Sequence, residues 1–268
     1  MIAHMVAFAM MSFATGASVA QETVVRVYAA GSLREAMTEM VQAYGSPGAS
    51  TVTTVFGPSG ILREWIEKGE DAHILASADL NNAQALARSG RAAAPVVFVR
   101  NRLCALAAPG VEVESGTLLE RMLDPRVKLG TSTPKADPSG DYAWQLFEKA
   151  EKIRPGAFAS LDAKALKLVG GAVESPQPPN GRSIYAALIA ERKADIFLTY
   201  CTNAMLATRD APGAHTVEIP DNLAVGASYA LAVMNDAPPA ALRFALYILS
   251  TPGQTILRRY GFTPVTIP

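Results

Sequence analysis

The chain has 268 residues and a mass of 28.3 kDa, and 50% of its residues are apolar, which is ample for one large domain or two small lobes with real cores. Lys plus Arg and Asp plus Glu both number 24, so no basic excess points to nucleic acid or to an anionic membrane surface. Wholesale disorder is excluded by the same composition.

Residues 2–19 are almost wholly apolar or small, and Ser18 and Ala20 occupy the −3 and −1 positions of a cut after Ala20. That pattern predicts a secretory signal peptide over residues 1–20, with His4 the one basic side chain of a weak n-region. The stretch is marginal in length for a membrane anchor and is broken by Ser12, Thr15 and Gly16, so the mature chain reads as a soluble periplasmic protein. Export also bears on Cys104 and Cys201, the only cysteines. An oxidising compartment permits a bridge between them, and two separate buried thiols are the alternative. Neither lies at the cleavage site, which argues against a lipid anchor.

Short β-rich runs at residues 24–29, 51–56, 73–76, 96–99, 103–107, 128–130 and 196–200 read as strands. Between them, residues 33–44, 61–67, 80–89, 142–151 and 184–191 read as helices, the alternation of a parallel α/β sheet. Residues 229–234 read as a late strand, and 240–250 and 253–260 as closing helices. The segment 173–182, with Pro176, Pro178 and Pro179, is a loop.

A strand-to-helix turn rich in small residues occurs four times: Ala29-Ala30-Gly31-Ser32-Leu33, Gly57-Pro58-Ser59-Gly60-Ile61, Pro138-Ser139-Gly140-Asp141-Tyr142 and Asn180-Gly181-Arg182-Ser183-Ile184. A helix N-terminus leaves N–H groups without intrahelical partners and carries the positive end of the helix dipole. Four such turns, brought together, form a pocket for an anion. Ser32-Leu33-Arg34-Glu35 also reads as a capping box, and Leu33, Ala36, Met37, Met40, Val41 and Tyr44 then mark one apolar helix face. A serine that only caps its helix is the competing reading at each turn.

Enzyme chemistry finds little support. Gly57-Pro58-Ser59-Gly60 lacks the spacing of a nucleophile elbow, and His73 and His215 stand in no recognisable base motif. No Cys-x-x-Cys or His-Glu-x-x-His occurs to hold a metal, and no Gly-x-Gly-x-x-Gly to hold a dinucleotide, so no cofactor is expected.

Tyr28-Ala29-Ala30-Gly31-Ser32-Leu33, Phe56-Gly57-Pro58-Ser59-Gly60, Ala76-Ser77-Ala78-Asp79, Pro138-Ser139-Gly140-Asp141-Tyr142-Ala143, Thr199-Tyr200 and Arg259-Tyr260-Gly261-Phe262, in that order, resemble the periplasmic molybdate-binding proteins of ABC importers. The resemblance implies a two-lobed type II periplasmic binding fold, an α/β architecture that closes on a tetrahedral oxyanion without a metal. It places the first lobe at residues 21–102 with a return segment at 225–268, and the second lobe at 103–224. Matched residue by residue, it implies ligand donors at Ser32, Ser59, Ser139, Gly181 and Tyr200. The implied ligand is molybdate or tungstate, with sulfate or phosphate as the alternative oxyanions. The implied partner is an importer permease, and the protein is expected to act as a monomer. Three features depart from the family pattern. Arg182 either reaches the anion or is solvated. The segment 164–177, with Gly170-Gly171, matches no family motif. Asp141 either complements the helix dipole or faces the pocket, where it would repel a full dianion and accept a hydrogen bond from a protonated one.

Overall fold

The computed structural model describes residues 23–45, 50–171 and 182–265. The expected signal peptide, Gly181 and nearly all of the proline-rich loop lie outside these residues. In chain order the elements are β1 (Thr23–Ala30), α1 (Arg34–Tyr44), β2 (Ser50–Gly57), α2 (Ser59–Glu67), β3 (Ile74–Ser77), α3 (Leu80–Arg88), β4 (Val96–Ala107), α4 (Leu118–Leu123) and β5 (Leu129–Ser132). They continue as α5 (Pro138–Ile153), α6 (Ala157–Lys164), β6 (Leu166–Val169), α7 (Ile184–Ala190), β7 (Ile196–Tyr200), α8 (Cys201–Asp210), β8 (His215–Glu218), β9 (Gly226–Val233), α9 (Pro239–Leu249), α10 (Thr251–Arg259) and β10 (Thr263–Pro264).

The strands run in the order β2-β1-β3-β9-β4-β7-β5-β6, with β8 and β10 also on β4. β2, β1 and β3 are mutually parallel, as are β7, β5 and β6, while β9 and β4 enter antiparallel between the two groups. This gives two α/β halves that share one long strand. β4 spans both predicted strands, 96–99 and 103–107, in one run of 12 residues. Its residues 96–102 pair with β9, and its residues 103–107 pair with β7 and β8. The local sequence Arg100-Asn101-Arg102 reads as a break because it is polar, yet the backbone stays extended where the strand changes partners.

Helices form where the apolar period allows one buried face. In α1, Ala36, Met37 and Met40 are buried together with the preceding Leu33, and each large side chain so buried contributes about 1.5–3 kcal/mol. One core joins β1, α1, β4, α5, α9 and β9 across both halves. Smaller cores hold α2 and α3 against β3 and β9 on one side, and α7 and α8 against β7 on the other. Cys104 of β4 and Cys201, the first residue of α8, form a disulfide with Cα atoms 4.8 Å apart, which settles the two cysteine alternatives in favour of a bridge. Among the described residues no helix is long and apolar enough to cross a membrane.

Candidate functional site

A cavity of about 640 Å³ opens where the C-terminal ends of β1, β2 and β7 meet the N-termini of α2 and α5. This is the edge at which open α/β sheets gather ligands, since strand ends and helix starts both present unpaired backbone groups there. Ser32, Ser59 and Tyr200 all line it, although they lie far apart in sequence.

The hydrogen bonds of these three groups orient their protons. Ser59 is the first residue of α2, and its Oγ accepts the Ala78 N–H at 3.0 Å, so its own proton is left to donate. Ser32 Oγ lies 2.8 Å from the Tyr229 phenol oxygen, which itself receives the Asn101 side-chain N–H at 3.3 Å. Either hydroxyl can donate in the Ser32–Tyr229 contact, and when Tyr229 donates the Ser32 proton is left for the cavity. Tyr200 is 2% exposed, and its hydroxyl has no hydrogen-bond partner among the described residues. Burial raises the Tyr200 phenol well above its ordinary pKa, with the neighbouring Tyr229, Asp137, Tyr142 and Asp79 pushing the same way, so it stays protonated and keeps an O–H to donate in the working pH range.

The Ser32–Glu35 capping box does not form. A short 3₁₀ turn over Gly31–Leu33 precedes α1, neither it nor α1 has a side-chain cap, and the Ser32 hydroxyl goes to Tyr229, 197 residues away, instead. Tertiary contact with a phenol outcompetes the local cap.

The third turn departs further from expectation. Ser139 is fully buried, its hydroxyl donates to Ser132 Oγ at 2.7 Å, and its N–H donates to the Asp137 carboxylate at 3.0 Å. It is not among the residues that line the cavity; Asp137 is. Asp141 does not line the cavity either, because its carboxylate accepts the Lys135 N–H at 2.8 Å. The acid that this turn brings to the wall is therefore Asp137, the N-cap of α5. Burial raises its pKa above the usual carboxylate value, against the lowering effect of the Ser139 N–H and the Ser132 and Ser139 hydroxyls. Gly170, with φ +76°, packs so closely on it that a Cβ there would sit 2.6 Å from the Asp137 Cβ.

At the fourth turn, the Ser183 N–H donates to the Asp210 carboxylate at 2.7 Å, and Arg182 donates to the Asp210 carbonyl at 2.7 Å. Arg182 is thus tied to the end of α8 while lining the cavity. Three guanidinium groups line the wall (Arg34, Arg182 and Arg209) against three carboxylates (Glu35, Asp137 and Asp210), so the formal charges cancel. Across the cavity mouth the Gly60 N–H donates to the Ala136 carbonyl at 3.0 Å, joining the start of α2 to the segment before α5. A Cβ at Gly60 would lie 2.2 Å from the Lys135 carbonyl oxygen, so only glycine allows this approach.

Asp137 is a functional candidate that the turn pattern missed. Asp-Pro before a helix signals an N-cap and nothing more; Val169 and Gly170, at the end of β6, line the cavity beside it. Among the described residues no group of three or more His, Cys, Asp or Glu side chains is placed to hold a metal ion.

Comparison with known proteins agrees with this architecture. A protein of Pasteurella multocida that has no characterised function is 36% identical over 241 residues, covering 89% of this chain and 98% of that protein. The periplasmic molybdate-binding protein of Azotobacter vinelandii superposes with a TM-score of 0.72 at 16% identity, covering 91% of this chain and 99% of that one. The sulfate-binding protein of Mycobacterium tuberculosis gives the same TM-score of 0.72 and 16% identity, covering 91% and 87%. The fold is the two-lobed periplasmic-binding-protein architecture. Residues 25–263 match the family described as bacterial extracellular solute-binding protein, and the chain belongs to that family.

Proposed function

We propose that this solute-binding protein captures a tetrahedral oxyanion between its two lobes and delivers it to an ABC importer. The observation that carries the reading is the convergence of Ser32, Ser59 and Tyr200 on one cavity, with the Ser59 oxygen already accepting, Ser32 held by Tyr229 and the Tyr200 hydroxyl without a partner among the described residues. Donors held in this way need no reorganisation when an anion arrives, and each hydrogen bond to a charged group contributes about 1.5–3 kcal/mol. Several of them in a closed cleft offset the desolvation of a dianion, whose cost is large when it is left unpaired. The resemblance in sequence points to molybdate or tungstate, and the solved neighbours include a molybdate-binding and a sulfate-binding protein.

The lobes meet through β4 and through the Gly60–Ala136 contact, so ligand capture is read as closure of the 21–102 and 225–268 lobe on the 103–224 lobe. The cavity volume of about 640 Å³ leaves room for a second reading, in which the oxyanion carries an organic substituent. Calorimetric titration and thermal shift with molybdate, tungstate, sulfate, phosphate and a phosphonate test both. One-to-one binding with a gain in thermal stability is expected; no response to any of the five would refute oxyanion capture.

A further inference from the structure

We propose that Asp137 is the specificity-determining residue of this cleft, selecting a tetrahedral oxyanion that retains a hydroxyl proton, the chemistry of hydrogen phosphate and phosphonates, over fully ionised dianions such as molybdate and sulfate. The inference rests on the oxyanion reading above and names the ligand class within it.

The geometry is specific. An anion at the start of α5 would ordinarily receive the first free N–H groups of the helix. Here the Ser139 N–H is already given to the Asp137 carboxylate at 3.0 Å, and that carboxylate lines the same cavity as Ser32, Ser59 and the unpartnered, buried Tyr200 hydroxyl. Three neutral donors thus face a cavity whose α5 wall is an acceptor, and the guanidinium groups of Arg34, Arg182 and Arg209, balanced by Glu35, Asp137 and Asp210, lie on the same wall. A bare dianion presents only acceptors, and against an ionised Asp137 it meets a like charge with no proton between them. An oxyanion with its own O–H presents acceptors to the three donors and one donor to the acid. Those three donors and the Asp137 acceptor then each have a partner on the ligand.

The proton balance makes the difference measurable. Hydrogen phosphate brings the shared proton with it. Molybdate or sulfate binds without repulsion only if Asp137 first takes a proton from solvent, so one proton is consumed for each dianion bound. Asp137 makes no ion pair among the described residues that would supply the charge instead. The groups that face it are Asp141 on its own helix, Ser132 of β5, and the phenols of Tyr185, Tyr200 and Tyr229 on α7, β7 and β9. Those phenols are pushed up by burial and do not titrate in the working range. Asp137 is also pushed up by burial, which places its own titration nearer to that range.

The test is calorimetric titration of the purified protein with sodium phosphate, molybdate and sulfate from about pH 6 to about pH 9, in two buffers of different ionisation enthalpy. Expected are a preference for phosphate and, above the Asp137 pKa, a fall in molybdate and sulfate affinity of about tenfold per pH unit, with proton uptake near one. Asparagine caps a helix as well as aspartate does, so Asp137→Asn should fold. It should lose the pH slope, weaken phosphate about tenfold to a hundredfold and strengthen the dianions, whereas Asp141→Asn should leave the ranking unchanged. Tighter binding of molybdate than of phosphate without proton uptake, or an unchanged ranking in Asp137→Asn, would overturn the proposal and leave oxyanion capture standing. Failure of all three anions to bind the wild type would instead overturn oxyanion capture itself, and this proposal with it.

Discussion

Replacing Tyr200 by Phe removes one hydroxyl whose effects on stability and on binding have opposite signs. In the folded protein the phenol oxygen is buried, the residue is 2% exposed, and no hydrogen-bond partner meets it among the described residues. A buried donor left unmade costs about 1–3 kcal/mol. The ring stays in the variant, and with it the edge contacts to Tyr229 at 5.4 Å and Tyr142 at 6.2 Å between centroids, so packing is conserved. The ligand-free Tyr200→Phe protein is therefore expected to gain about 1 kcal/mol, which raises the unfolding midpoint by about 2–4 °C for a chain of this size. With ligand, the same change deletes a charge-assisted hydrogen bond of about 1.5–3 kcal/mol, a loss of roughly 10- to 150-fold in affinity. Denaturant unfolding without ligand and calorimetric titration with the tightest-binding oxyanion measure the two effects separately. A ligand-free variant less stable than wild type would mean that the phenol has a protein partner in solution. Wild-type affinity would mean that it is not a ligand donor.

Ser59→Ala deprives both the oxyanion and the Ala78 N–H of a partner, so titration should show binding weaker by about 1–3 kcal/mol and denaturant unfolding a loss of about 1 kcal/mol. Gly60→Ala places a Cβ 2.2 Å from the Lys135 carbonyl oxygen, and overpacking of this kind costs about 1–3 kcal/mol where the start of α2 meets the segment before α5; small-angle scattering with ligand should show a larger radius of gyration than wild type. Cys104→Ala with Cys201→Ala removes a link between residues 97 apart in sequence, for which loop entropy sets a loss of up to about 4.7 kcal/mol in denaturant unfolding. Burial raises the folded-state pKa of Asp137, so its charged form opposes folding: the penalty is absent below the unfolded carboxylate pKa, grows as pH rises toward the folded value and is full above it. The stability of ligand-free Asp137→Asn relative to wild type should therefore increase as pH rises above the unfolded carboxylate pKa and level off above the raised folded-state pKa, as measured by urea unfolding at each pH.

The sequence by itself determined what depends on neighbours a few residues apart. The alternation of β-rich runs with amphipathic helices specified an α/β fold, and the apolar period from Leu33 to Met40 specified the buried face of α1, because helix and strand periods are local properties. The small-residue turns identified Ser32 and Ser59, since strand ends that feed helix starts carry their own signature. Tyr200 was legible only through the family resemblance; in the sequence it is one more aromatic residue at a strand end. Tertiary structure decided the rest. Whether Ser32 caps α1 depended on a phenol 197 residues away, and whether β4 broke at its polar middle depended on β9, β7 and β8 arriving to pair with it. Of the two readings open for Asp141, the one that keeps it off the cavity holds, and Asp137, which the turn pattern did not mark, stands at the wall for the same reason. Both are acids around one helix start, and only the Lys135 N–H on one side and the Gly170 backbone on the other direct the first to the cavity and the second away from it. A hydrogen-bonding group has several partners within reach along the chain, and the one it takes is set by which long-range neighbour excludes water from the competition.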